Sequence, residues 1–263
     1  MLGPGEGDVI SGTATVWVKT LRDELALSES QYAEPEGGAA PHLHRAHADA
    51  FYVLDGALEM DLGRERVRVP PGALALAPTG VTHSFTPIAR GTRFLNLHTP
   101  GADYARIFRA RLEGTSIDAE HGDTFPPDGS DGAGILAGPG EGELLEGDHR
   151  RLRVKASRPE LDVLEFEIEP GFEGPGPHFH RKHVDSFYVL EGEVVFRVGD
   201  ERVNAGPGTF VAAPPGVVHA FTASDRPARF LNVHAPDRGF TDYLRARARN
   251  EDVDPADYDI CEV

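Results

Sequence analysis

PHLHRAHADAFYVLDG at positions 41–56 recurs as PHFHRKHVDSFYVLEG at 177–192, with eleven of sixteen positions identical. The offset of 136 holds without a gap from Lys19 and Lys155 to His98 and His234. It pairs Gly72 with Gly208, His83 with His219, and FLNLH (94–98) with FLNVH (230–234). A repeat of about 110 residues is too long for a solenoid unit and suits a domain, so the 263 residues contain two copies of one domain. Upstream, GPGEGD (3–8) answers GPGEGE (138–143) with a one-residue slip, and EGTSIDAEHGDTFPPDGSDGAG (113–134) has a connector's composition. The expected organisation is a first domain over 1–112, a linker over 113–134, a second domain over 135–250 and a C-terminal tail over 251–263.

Within each copy the period is that of strands. Leu58, Met60 and Leu62 alternate with Glu59 and Asp61; Val194, Phe196 and Val198 share a face, and Gly199-Asp200 signals a hairpin turn. PPG, APTG, AGPG and APPG punctuate the chain at the spacing of short antiparallel strands. Only 104–114 and 240–250 have a helical pattern, each after the last strand of its copy. Their arginines are read as a solvated face in preference to an anion site. The fold expected is all-β: two tandem β-barrels or jelly rolls, each with a short C-terminal helix.

Twenty-six Lys and Arg against 43 Asp and Glu leave a charge of −17, which argues against a nucleic acid or an anionic membrane as partner. Cys261 is the only cysteine, so no intrachain disulfide forms. MLGPGEGDVISG has neither the basic nor the apolar region of a signal peptide, and no apolar run approaches the roughly 20 residues that span a bilayer. A cytoplasmic protein with a small-molecule partner is expected, with a homodimer as one option for covering exposed sheet faces.

On a strand, residues i and i+2 project from one face, so His42 and His44 present two imidazoles together, as do His178 and His180. Asp49 and Asp185 follow five residues later, and His83 and His219 each follow a Pro-x-Gly turn. Three histidines and a carboxylate suit a first-row divalent metal (Mn, Fe, Co, Ni, Cu or Zn), one per copy, with coordination positions left open. A lone His-x-His is more often an ordinary loop or core pair. The same constellation twice at one offset favours the metal.

These residues resemble the cupin superfamily. His42, His44, Asp49 and Gly56 match its first motif, and Gly72, Pro78, Gly80 and His83 its second; His178, His180, Asp185, Gly192, Gly208, Pro214, Gly216 and His219 repeat both. The resemblance implies a bicupin with one metal site per jelly-roll barrel, most similar to quercetinase-like dioxygenases. Two departures stand out. Pro87 and Ala223 replace the closing asparagine, and aspartate replaces the usual glutamate, which draws the carboxylate back by about 1.5 Å. Asp49 and Asp185 are therefore expected either as ligands or as groups behind them, with a second role as general base. His47 and His183, in a turn, are expected to face solvent. Phe51, Phe85, Phe187 and Phe221 are expected to line the substrate pocket, together with Asn96, His98, Asn232 and His234 if their strand face points inward. The function expected is a metal-dependent dioxygenase, an oxidoreductase acting on a small, aromatic, oxygen-chelating substrate. An isomerase or epimerase using the same metal, and a non-catalytic binding protein, are the alternatives.

Overall fold

The computed structural model describes residues 1–129 and 132–263, so Ser130 and Asp131 of the expected linker lie outside the described residues. The chain forms two compact units, Glu6–Glu141 and a second made of Met1–Gly5 with Gly142–Val263.

The N-terminal unit runs β1 (Asp8–Ser11), β2 (Ala14–Leu21), β3 (Ala26–Tyr32), β4 (Ala39–His42), β5 (Ala48–Asp55), β6 (Leu58–Leu62), β7 (Glu65–Val69), β8 (Leu74–Ala77), β9 (His83–Pro87), β10 (Thr92–Thr99), helix α1 (Ala102–Leu112) and β11 (Ile135–Ala137). Its sheets are β1-β2-β3-β10-β5-β8-β11 and β4-β9-β6-β7. From β3 onward the chain crosses repeatedly between them, which spreads the ladder over two sheets instead of closing one. Of the barrel or jelly roll expected from sequence, the unit is a two-sheet jelly roll. Alternation in β6 buries Leu58, Met60 and Leu62 against Phe51, Val53 and Phe94 of the facing sheet. Each such side chain contributes roughly 1.5–3 kcal/mol.

The C-terminal unit repeats this plan with β12 (Glu143–Gly147), β13 (Arg150–Arg158), β14 (Leu161–Ile168), β15 (His178–Phe179), β16 (Val184–Glu191), β17 (Val194–Val198), β18 (Glu201–Ala205), β19 (Phe210–Ala213), β20 (His219–Ala223), β21 (Ala228–Ala235), α2 (Phe240–Ala248) and β22 (Cys261–Glu262). Its sheets are β12-β13-β14-β21-β16-β19 and β18-β17-β20-β15-β22. The β17–β18 hairpin turns at Gly199 (φ +59°) and Asp200, with glycine supplying the positive φ at the first turn position. The repeat opens on a buried ion pair in each unit: Lys19 Nζ lies 3.4 Å from Glu29 Oε2, and Lys155 Nζ 3.8 Å from Glu165 Oε2.

The expected boundaries need correcting at three places. Residues 135–141 belong to the N-terminal unit, where β11 pairs with β8, and Met1–Gly5 belongs to the C-terminal unit, where Leu2 bridges Phe210. The segment 251–263 is no free tail, because β22 pairs with β15. Unpaired edge strands draw in backbone partners from distant sequence, and composition carries no sign of that. No helix among the described residues is long and apolar enough to cross a membrane.

Candidate metal centres

Strand pairing builds each site. β4 and β9 place His42 opposite His83, and β15 and β20 place His178 opposite His219. Asp49 and Asp185 come from the other sheet, on β5 and β16, paired with His98 and His234. A glycine permits the approach: Gly38 (φ +104°) and Gly174 (φ +71°) lie where a Cβ would stand 2.0 Å from the Phe85 carbonyl oxygen and 1.7 Å from that of Phe221. The result is two groups, His42-His44-Asp49-His83 and His178-His180-Asp185-His219, with ligand atoms all within 4.8 Å of one another.

The rings are pre-oriented. Each Nδ1 lies against a backbone carbonyl: His42 on Ala40 (2.8 Å), His44 on Asp123 (2.7 Å) and His83 on Val81 (3.0 Å). The second site repeats this, with His178 on Gly176 (2.9 Å), His180 on Asp259 (2.8 Å) and His219 on Val217 (3.0 Å). A neutral ring that donates from Nδ1 keeps its lone pair on Nε2, so all six histidines direct a ligand atom inward. His44 Nε2 and His180 Nε2 are buried with no hydrogen-bond partner among the described residues. Asp49 Oδ2 lies 3.2 Å from His83 Nε2 and 3.8 Å from His44 Nε2; Asp185 Oδ2 lies 3.0 and 3.7 Å from its equivalents. Ligands at about 2.1 Å from one ion stand roughly 3–4 Å apart, so the donor set, the spacing and the orphaned nitrogens fit a divalent metal.

Burial alone would raise the Asp49 carboxyl, but His98, His44 and His83 hold it well below the usual carboxylate range, and His234, His180 and His219 do the same for Asp185. Asn96 Nδ2 donates to Asp49 Oδ1, and Asn232 Nδ2 to Asp185 Oδ1. A carboxylate this strongly stabilised is a weak proton acceptor, which counts against the expected general-base role of both aspartates and favours that of ligand. Burial, then the neighbouring His83 or His219, lowers His42 and His178 to about 4.

The turn histidines are buried, contrary to the expectation that they face solvent: His47 is 1 % exposed and His183 is 0 % exposed. Their covers are Asp123 and Asp259, 136 positions apart, each with φ +59° after a single 3-10 turn. Asp123 Oδ2 lies 2.8 Å from His47 Nδ1 and accepts from Ala46 N (2.7 Å), while Oδ1 accepts from Arg45 N (3.0 Å). Asp259 holds His183 and the Arg181–Lys182 turn in the same way. These two aspartates were missed from sequence. Their signal was a shared aspartate at the repeat offset in segments otherwise unlike each other.

The β10 and β21 faces left open by periodicity resolve inward. His98 Nε2 bonds Asn96 Oδ1 (2.9 Å) and its ring stacks on Tyr104; His234 Nε2 bonds Asn232 Oδ1 (3.0 Å) and its ring stacks on Phe240. These four residues brace the carboxylate, and none of them is in the walls of the two cavities that reach His42 and His178. Phe51, Phe85 and Phe187 pack in the two cores; Phe221 belongs to a core and also reaches a cavity wall. Two cavities open on the metal sets, one of about 530 Å³ at His42 and one of about 620 Å³ at His178. Ile107, Ile117, Phe125 and Tyr104 wall the first, and Phe172, Phe221, Phe240 and Tyr243 the second. Both volumes suit a small molecule.

Quercetin 2,3-dioxygenase of Bacillus subtilis (strain 168) is 25 % identical over 245 residues, covering 76 % of this chain and 71 % of that protein. A variant of Bacillus subtilis oxalate decarboxylase superposes with a TM-score of 0.63 at 16 % identity, covering 89 % of this chain and 76 % of the other. The formate complex of Lactobacillus farciminis oxalate decarboxylase gives 0.63 at 15 %, covering 89 % and 86 %. At such identity the structural likeness speaks for the fold alone. The Cupin domain family matches residues 30–94 and 164–234, together just over half of the chain and including all eight residues of the two metal-ligand sets. With two such domains, each carrying its own histidine-rich set, the chain belongs to the cupin family and is a bicupin.

Proposed function

We propose that the protein is a metal-dependent dioxygenase acting on a small, oxygen-chelating substrate. One observation carries the reading: three imidazole Nε2 atoms and one carboxylate converge in each unit, and one of the four residues, His42 or His178, forms part of a cavity wall. Four protein ligands leave positions open on an ion that accepts five or six. When bound, the metal would supply Lewis acidity and, if redox-active, the electrons of dioxygen chemistry. The chain's own part is to fix the ligands and to shield them. The Nδ1 contacts lock the rings, Asn96 and Asn232 anchor the carboxylates, and burial of His44, His83, His180 and His219 leaves the cavity as the route of approach. The relative named quercetin 2,3-dioxygenase supports this reaction class over other metal chemistry.

The test is metal content on protein purified without added metal, beside His42→Ala/His44→Ala and His178→Ala/His180→Ala variants. Two metals per chain are expected, one lost from each variant, with oxygen uptake on a catechol or flavonol lost as both sites are removed. Failure to bind manganese, iron, cobalt, nickel, copper or zinc would overturn the reading. Turnover that proceeds without oxygen on a zinc-loaded enzyme would move it to isomerase chemistry.

A further inference from the structure

Arg111 and Arg247 occupy equivalent places in the last turns of α1 and α2, 136 positions apart. The arginines two residues earlier are turned to other partners. Arg109 Nη2 donates to the Leu21 carbonyl (2.7 Å), and Arg245 bonds Glu143 Oε2 (2.9 and 2.7 Å) and Asp242 Oδ1 (2.8 Å). Arg111 and Arg247 have no carboxylate within salt-bridge distance among the described residues, and both line the cavities that open on His42 and His178.

The wall of the first cavity carries no acidic residue, and Arg111 is its one permanently charged side chain among the described residues. The second cavity adds Arg150, in place of Ala14 of the first copy, and Glu262 is the one acidic side chain in its wall among the described residues. Burial pushes the Arg150 guanidinium down, as happens to a charge with too little compensation. In a chain of net charge −17, both cavities carry more cationic than acidic side chains. A guanidinium presents two parallel N–H groups that match the two oxygens of one carboxylate. The aromatic and aliphatic walls accept a flat apolar body beside it.

We propose that the cavities bind small aromatic carboxylates, the carboxylate pairing with Arg111 in one unit and with Arg247 and Arg150 in the other. The proposal rests on these cavities serving the metal centres as their substrate sites, and it names the substrate class. Both arginines are exposed, as the sequence reading of a solvated helix face has it, and the proposal gives these two members of that face a ligand.

Benzoate and benzamide share a shape and differ in charge, which makes them suitable probes for calorimetry on metal-free and zinc-loaded protein. Benzoate is expected to bind about tenfold more tightly than benzamide in both forms, at two sites per chain. Arg111→Gln should abolish the preference at one site, and Arg247→Gln with Arg150→Gln at the other, with metal content unchanged. Arg111→Lys should keep most of it, which a merely structural role would not require. Equal binding of the two probes to the wild type would overturn the proposal. So would a preference that survives the glutamine substitutions, since the anion would then be held elsewhere. Metal content and oxygen uptake report separately on the dioxygenase reading: their failure leaves the benzoate preference in the metal-free protein standing, and success there with no preference sinks the carboxylate alone.

Discussion

Asn232 stands in the middle of a continuous buried polar chain. Asp259 Oδ2 meets His183 Nδ1 (3.0 Å), His183 Nε2 meets His234 Nδ1 (2.9 Å), His234 Nε2 meets Asn232 Oδ1 (3.0 Å), and the Asn232 amide donates to Asp185. Asn232→Ala would leave a buried carboxylate oxygen and a buried ring nitrogen short of partners, a cost of about 1–3 kcal/mol. Metal affinity at that site should fall about 10–100-fold, read by competition with a chelator, while the site in the other unit is unaffected. Unchanged affinity would mean that the carboxylate needs no anchor. The sequence shows that Asn96 and His98, like Asn232 and His234, share a strand face, because side chains alternate with period two. Which face is inward depends on the sheet packed opposite, and no local pattern records it.

Among the elements, the two 3-10 turns at Ala119–Gly122 and Pro255–Tyr258 matter more than their length suggests. Each delivers an aspartate whose carbonyl orients a ligand histidine and whose carboxylate ties down the turn that carries it. Asp259→Ala is expected to cost metal at the C-terminal site alone, with Asp259→Asn retaining part of the affinity because the amide oxygen still accepts and asparagine tolerates the left-handed backbone. Truncation after Asn250 should remove that site's metal while the other stays loaded; metal analysis of the truncated chain decides it. The strands and both helices were legible from periodicity and turn residues. The last segment of each repeat was not, because Asp118 with Asp254 and Asp123 with Asp259 are the only identities between 118–125 and 254–261. Composition there resembles a linker, and its fixed structure comes from long-range hydrogen bonds.

At the scale of the whole molecule, twin clusters of buried histidines make stability depend on pH. Burial lowers His42, His47, His178 and His183 to about 4, and His98 and His234 well below the ordinary value. These rings stay neutral in the folded chain where the unfolded chain takes up protons, so each loses up to about 1.4 kcal/mol per pH unit as pH falls from about 6.5 toward 4. His44 and His219 work in the opposite sense: burial opposes their charge, but their aspartate partners raise them, so they favour the folded chain on acidification. Asp162, pushed up to about 7 chiefly by burial, works in that second sense too; with six against three, urea midpoints of the metal-free protein should fall from pH 7 to pH 5. A flat or rising profile would contradict the burial. Metal should steepen the fall, because protons compete for the same Nε2 atoms.

The bridge between Leu2 and Phe210 also bears on how the chain is made. Leu2 N donates to Phe210 O (2.9 Å) and Phe210 N to Leu2 O (2.8 Å), so this segment has its backbone partners in β19, which is translated well after it. During vectorial synthesis that segment waits while the N-terminal unit can complete itself, and the C-terminal unit closes with residues translated some two hundred positions before the strand that receives them. The two repeats are alike in plan and unequal in the order of their birth.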